Sequence, residues 1–270
     1  MCVKGLNAGT GMFEDGTWRF HEGDTDIGGF CTLGTFSQYA VVSEWATVPL
    51  REDFQDIPWE LLSLVGCGVP TGWGSSVHAA GVQAGDTVVI FGAGGVGTNA
   101  VQGARYAGAA HVIVIDPVEF KRENALAFGA THVFASADLA QEAVIELTRG
   151  QLADHALITI GVLNAEVVEQ AAAIVGKGTQ VTITSVGKSA EKQIQLAANG
   201  SVVGWQRNIQ GHVFGMCNPL NDIPRLLRLY RAGQLKLEEL ITGRYTLDEV
   251  NQGYQDLDDG KLIRGVILHA

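Results

Sequence analysis

Thr87-Val88-Val89-Ile90-Phe91-Gly92-Ala93-Gly94-Gly95-Val96-Gly97 sets a β-branched run directly ahead of a G-x-G-x-x-G pattern. The run reads as a buried strand over Thr87–Phe91, and the Ala-rich residues from Val96 to Ala107 read as a helix. In a strand-turn-helix setting each glycine has its own reason. Gly92 permits the tight turn, Gly94 lets the main chain approach a pyrophosphate, and Gly97 lets the helix pack closely on the strand. The helix N-terminus then offers unpaired N–H groups to the anion. In a chain with 35 glycines the pattern alone could be a plain turn. The next strand, His111–Ile115, changes that weighting because it ends on Asp116, about twenty residues past the loop. An acid there accepts hydrogen bonds from ribose hydroxyls and repels a 2′-phosphate, so the expected ligand is NAD(H) rather than NADP. The competing role for Asp116 is to cap the turn at Pro117 or the helix beyond it. Lys121 and Arg122 stand near the start of that helix, either neutralising the adenosine side or as solvated charges.

Outward from this unit the same rhythm repeats. Strands are predicted at His132–Phe134, Ala156–Thr159, Thr179–Ile183 and Gln210–Phe214, and helices at Glu119–Phe128, Leu139–Thr148 and Ala165–Val175. Alternation of this kind specifies an α/β fold, a doubly wound parallel sheet with helices on both faces. Before it, Met1 to Leu50 is rich in Gly, Thr and aromatics, and its alternating stretch Phe36–Val42 suggests irregular β structure. After it, Ile223–Ala232 and Thr246–Leu257 have helical spacing and Arg264–Leu268 reads as a terminal strand. The two flanks are expected to pack together as one discontinuous second domain.

The net charge of -11 argues against a polyanion or an anionic membrane as partner. No segment reaches the ~20 apolar residues of a membrane span, and Met1 to Gly5 does not open a secretory signal. The four cysteines, Cys2, Cys31, Cys67 and Cys217, form no paired pattern and fit a reducing compartment, so the expectation is a cytoplasmic protein. A late strand near Ser201 to Gln210 would leave a sheet edge to be covered, and a homo-oligomer is expected for that reason.

Upstream of the loop stands Val65-Gly66-Cys67-Gly68-Val69-Pro70-Thr71-Gly72-Trp73-Gly74-Ser75-Ser76. A cysteine between glycines is ordinarily a small buried hydrophobe. This string, followed by Gly81-Val82-Gln83-Ala84-Gly85-Asp86 and the Gly92–Gly97 loop, resembles the zinc-dependent alcohol dehydrogenases of the medium-chain dehydrogenase/reductase family. Phe128-Gly129-Ala130-Thr131-His132 and Gly260-Lys261-Leu262-Ile263-Arg264-Gly265 extend the resemblance along essentially the whole chain. Asp116 to Arg122, Asn208-Ile209-Gln210-Gly211 and Phe214-Gly215 are most similar to the nicotinoprotein, nitrosoaniline-dependent members.

The resemblance implies hydride transfer between an alcohol/aldehyde pair and NAD(H), with zinc as Lewis acid in the family form. It implies Cys67 as a ligand of the catalytic zinc and Thr71 as a nicotinamide contact. Gly92, Gly94, Gly95, Val96 and Gly97 would hold the pyrophosphate, Asp116 and Lys121 the adenosine ribose, and Arg264 would reach back to the phosphates. Cys2 matches the last of four cysteines of a structural zinc. It also implies three segments: residues 1–68 as the remnant of a GroES-like catalytic domain, 69–213 as the Rossmann domain, and 214–270 as the return to the catalytic domain.

In the family, the first two catalytic zinc ligands and the hydroxyl that starts the proton relay come from residues before the counterpart of Met1. The resemblance therefore leaves both zinc sites incomplete in this sequence, and zinc is not expected to be retained. His21, Glu22 and His78 are the residues that could in principle substitute. Two further readings stand beside the dehydrogenase: an NAD(H)-binding fragment or regulatory module with little turnover, and a zinc-free reductase, which would give Cys67 no reason for its setting.

Overall fold

A computed structural model describes residues 10–13, 15–50, 54–185 and 202–269, with Trp45 described by its backbone alone. Cys2 lies outside the described residues. The first ordered pairing is a short antiparallel hairpin of β1 (Phe20–Glu22) and β2 (Thr25–Ile27), with Phe20 opposite Ile27. The alternating stretch Phe36–Val42 forms no strand. Two helices then precede the sheet, α1 (Trp59–Leu64) and α2 (Gly68–Gly74), the latter running on through a π-helical segment, Ser75–Ala80, to a left-handed Gly81.

The central unit follows in the expected alternation: β3 (Thr87–Phe91), α3 (Gly97–Tyr106), β4 (His111–Ile115), α4 (Glu119–Ala127), β5 (His132–Phe134), α5 (Ala137–Leu147), β6 (Ala153–Ile158), α6 (Ala165–Ile174), β7 (Val175–Ile183) and β8 (Asn208–Gly211). All pairings are parallel, in the order β5-β4-β3-β6-β7-β8. This is the doubly wound order that reverses between its first and fourth strands, here β3 and β6, and opens a crevice at their carboxyl ends. Beyond the sheet lie α7 (Pro219–Arg231), β9 (Ile241–Tyr245), α8 (Val250–Asp258) and β10 (Arg264–Ile267), with β9 and β10 paired in parallel.

Residue alternation explains the two layers. Val88, Ile90, Val112, Val114 and Leu157 point to one apolar cluster, which takes in Leu61, Val69, Ala100, Ala104, Leu226 and Ile263. Val89, Phe91, Ile113, Ile115 and Ile158 point to the other, against Ala140, Val144, Val168 and Ala171. Each fully buried Val, Leu or Ile contributes roughly 1.5–3 kcal/mol by leaving water. The helices present apolar residues three and four apart, as Ile223, Leu226 and Leu227 do in α7. That helix starts on Asn218, whose side chain accepts the Leu220 N–H, with Pro219 at the first helical position.

Three expectations shift. β6 and β7 begin earlier than predicted, at Ala153 and Val175. The last strand ends at Gly211 instead of Phe214, because Phe214 (φ 57°) and Gly215 (φ 61°) break the extended chain into a 3-10 turn. Among the described residues no helix is long and apolar enough to cross a membrane.

Candidate functional site

The turn after β3 has the geometry its glycines require. Gly92 sits at φ +93°, and a Cβ on Gly97 would stand 1.8 Å from the Gly92 carbonyl oxygen, so only glycine lets α3 start this close to β3. A Cβ on Gly94 would meet nothing within 4 Å, which leaves that side of the loop open. The loop is braced from below by polar side chains that no motif announces. Thr159 Oγ1, just past β6, lies 2.9 Å from both the Phe91 and Gly92 carbonyl oxygens, and Thr98 Oγ1 donates to the Ala93 carbonyl. The buried Asn99 donates to the Gly95 carbonyl at 2.8 Å and accepts from Gln102, whose amide oxygen takes the Lys236 N–H at 2.7 Å. Val96 precedes α3 with helical dihedrals, and the helix ladder begins with the Thr98 N–H on the Gly94 carbonyl at 2.9 Å and the Ala100 N–H on the Val96 carbonyl at 3.0 Å, so the amides ahead of Thr98 are the ones a helix N-terminus leaves for an anion.

Asp116, the residue expected at the ribose, is 5% exposed and fills the capping role. Its Oδ2 accepts the Ala93 N–H at 2.8 Å and its Oδ1 accepts the Val118 N–H at 2.9 Å, tying the loop to the turn before α4. A carboxylate retains further lone pairs after two such bonds. Arg122 donates to the carbonyls of Asp116 and Pro117, and so fixes this turn from α4. Lys121, on the same helix, is half-buried and makes no hydrogen bond or ion pair to another described residue.

Arg264 reaches from β10 across the loop. A Cβ on Gly95 would fall 2.1 Å from its Nε, and one on Gly68 would fall 1.7 Å from its Nη2, so the guanidinium lies flat between these two glycines. Among the described residues nothing pairs with it. Burial pulls its pKa below the ordinary value, with the neighbouring Cys67 opposing, yet an arginine stays charged at neutral pH. A half-buried, unpaired cation laid beside the loop ahead of α3 suits a pyrophosphate, and on this ground the residues fit NAD(H).

Cys67 immediately precedes α2, with an exposed thiol whose Sγ is 4.0 Å from the hydroxyl of the buried Thr71. Both α2 and Arg264 border a cleft of about 670 Å³ whose walls include Cys67, Gly68, Phe36, Trp59, Tyr245 and Arg264. Cys31 stands near enough that, after desolvation, the charge of Cys67 is what raises its thiol pKa. No group of three metal-capable side chains among the described residues includes Cys67. The three residues that could have completed its site are placed elsewhere. His21 pairs with Asp26 at 3.0 Å on the exposed hairpin, Glu22 is exposed beside it, and His78 lies with Cys217 and Asp222. The described residues therefore do not by themselves hold a zinc ion on Cys67. Burial, with Asp222 second and Arg225 opposing, pushes the Cys217 thiol to about 12.

Comparison with known proteins agrees with this geometry. The sequence profile of zinc-binding dehydrogenases matches residues 95–232. The NDMA-dependent alcohol dehydrogenase of Amycolatopsis methanolica is 53% identical over 270 residues, covering 100% of this chain and 72% of the relative. Alcohol dehydrogenase B of Mycobacterium tuberculosis is 43% identical over 98% of this chain and 70% of its own length. The crystal structure of benzyl alcohol dehydrogenase from Acinetobacter calcoaceticus superposes with a TM-score of 0.81 at 31% identity, covering 89% of this chain and 64% of that one.

Proposed function

Because the chain belongs to the zinc-binding dehydrogenase family, we propose that it is an oxidoreductase that binds NAD(H) and serves hydride transfer between an alcohol and its aldehyde. The observation that carries this reading is Arg264, which lies unpaired between the phosphate loop and the residue next to Cys67. The pyrophosphate would be held by the loop amides of Gly94, Gly95, Val96 and Gly97, with Gly92 shaping the turn and Arg264 closing over it. Asp116 would take the ribose hydroxyls on the lone pairs left by its two backbone bonds, and Lys121 would stand on the adenosine side. The nicotinamide end would then run toward Thr71 and the Cys67 cleft. Bound NAD supplies the hydride acceptor.

In the family form Cys67 is a ligand of the catalytic zinc and Cys2 belongs to a structural zinc. Among the described residues no pair of further ligands stands beside Cys67. The second reading is an NAD(H)-binding module with little turnover of its own. The same proposal divides the chain at 68/69 and 213/214, with a GroES-like unit on both sides of a Rossmann domain. Cys31, Cys67 and Cys217, all free thiols, fit a reducing, cytoplasmic setting. β8 pairs only with β7 among the described strands, so its free edge supports a homo-oligomer, to be checked by sedimentation at micromolar concentration.

Titration of the purified 270-residue chain with NADH and NADPH, followed by nicotinamide fluorescence, tests the cofactor assignment. NADH should bind much more tightly, and equal affinities would remove the role given to Asp116. Assay of primary alcohols with NAD and with an artificial electron acceptor separates the two readings. Turnover supports the dehydrogenase, and NADH binding without turnover supports the module.

A further inference from the structure

Of the residues that Cys67 does not gather, His78 lies in a cluster elsewhere. His78 is in the π-helical segment Ser75–Ala80, Cys217 follows the 3-10 turn Phe214–Met216, and Asp222 lies in the first turn of α7. One ligand atom from each falls within 4.8 Å of the other two. His78 Nε2 is 3.6 Å from Asp222 Oδ1, longer than a hydrogen bond, and this nitrogen is buried without a hydrogen-bond partner among the described residues. Nitrogen and oxygen ligands at about 2.0–2.2 Å from a tetrahedral ion stand roughly 3.3–3.6 Å apart, so the separation is that of two ligands of one ion.

The surroundings aim these groups at a common point. Asp222 commits its other oxygen, Oδ2, to the Asn218 N–H at 2.7 Å, which turns Oδ1 toward His78. The imidazole is held edge-on against the buried Trp73 at 5.4 Å between centroids. Orientation of ligands by a backbone amide and a packed ring is the support that metal ligands ordinarily have. Cys217 Sγ sits 3.3 Å from the Pro70 carbonyl, to which the free thiol donates. Arg225, the nearby cation, is drawn aside over the Trp73 ring. His78 keeps 29% of its side chain exposed and Asp222 12%, so an ion and a water have a route in.

We propose that His78, Cys217 and Asp222 form a zinc-class divalent cation site, distinct in every ligand from the family's Cys67 set. Nitrogen, sulfur and carboxylate donors in threes suit zinc or cobalt over magnesium or calcium, which take oxygen ligands throughout. Water supplies the fourth position. On binding, the Cys217 thiol gives up its proton to solvent and its bond to the Pro70 carbonyl, and the sulfur joins the metal. The ion clamps the end of the π-helical segment to the start of α7.

The test is titration of the metal-stripped 270-residue chain with Co(II). One equivalent should bind with a thiolate-to-cobalt charge-transfer band, and Zn(II) should displace it. Cys67→Ser should keep the band, whereas Cys217→Ser and Asp222→Asn should lose it while their circular dichroism stays that of the parent. The unsubstituted chain gives an independent reading: zinc should slow alkylation of Cys217, mapped by peptide mass, and leave Cys31 unprotected. Absence of a charge-transfer band in the parent chain, its survival in Cys217→Ser, its loss in Cys67→Ser, or unprotected Cys217 would each overturn the proposal.

Discussion

The central sheet and the segment from residue 15 to 50 are built from similar residues and end in opposite states. Every residue of β3 is buried, while in the earlier segment no described side chain is, and Phe30, Tyr39 and Val41 stand 81%, 89% and 94% exposed. Both regions carry β-branched and aromatic residues in strand-like patterns, a continuous run in β3 and an alternation over Phe36–Val42. The difference is pairing: β3 is hydrogen-bonded to β4 on one side and β6 on the other, whereas Phe36–Val42 pairs with no described strand. A strand-like side-chain pattern is therefore half of a strand's instruction, and a partner edge is the other half.

The largest expected effect contrasts the two regions directly. Ile113→Ala, in the middle of β4, should cost about 2–5 kcal/mol by urea unfolding, while Val41→Ala should stay within about 0.5 kcal/mol. Equal costs would show that the outer segment is packed after all. Next is Gly97→Ala, whose new methyl must displace the Gly92 carbonyl. It should cost roughly 1–3 kcal/mol and remove NADH binding together. Arg264→Leu should separate these two quantities, weakening NADH about tenfold to a hundredfold while leaving the unfolding midpoint unchanged or higher, since a half-buried charge without a partner among the described residues is removed. A matching fall in stability would mean that Arg264 serves the fold instead of the anion.

The smallest effect is a pH dependence carried by His212, directly after β8. Burial lowers its pKa from 6.5, so the folded state prefers the neutral ring. Its contribution is fully present above the ordinary value and is lost as pH falls from there through the depressed folded value. His212→Gln should flatten that part of the curve, and an unchanged slope would assign the loss to other groups.

The sheet was legible because each of its strands carries its own pattern and turn, and β3, β4 and β5 have the predicted bounds. The α1–α2 region was not, because a run with Gly66, Gly68, Pro70, Gly72 and Gly74 reads as loop. Packing overrides that propensity: a Cβ on Gly72 would lie 2.0 Å from the Val96 carbonyl oxygen and one on Gly74 2.3 Å from the Gly215 carbonyl oxygen, so the glycines that weaken α2 are those that let α3 and the Phe214–Met216 turn touch it. The loop motif and Asp116 could be read from spacing, but Thr159 and Asn99 could not, since their use depends on which carbonyls the fold brings beside them. The grouping of His78 with Cys217 and Asp222 is invisible for the same reason, since His78 is remote in sequence from the other two.

The two backbone bonds of Asp116 have an evolutionary consequence. A lineage that exchanged this acid for a small residue to admit a 2′-phosphate would also release the N–H groups of Ala93 and Val118. Each amide left without an acceptor away from water costs about 1–3 kcal/mol, so the change of cofactor would arrive together with a loosened loop. Descendants could keep the new preference only by first acquiring stability elsewhere or by placing another acceptor at the same point. On the role proposed for Asp116, cofactor choice is thus coupled to stability, and a one-step swap would carry that cost.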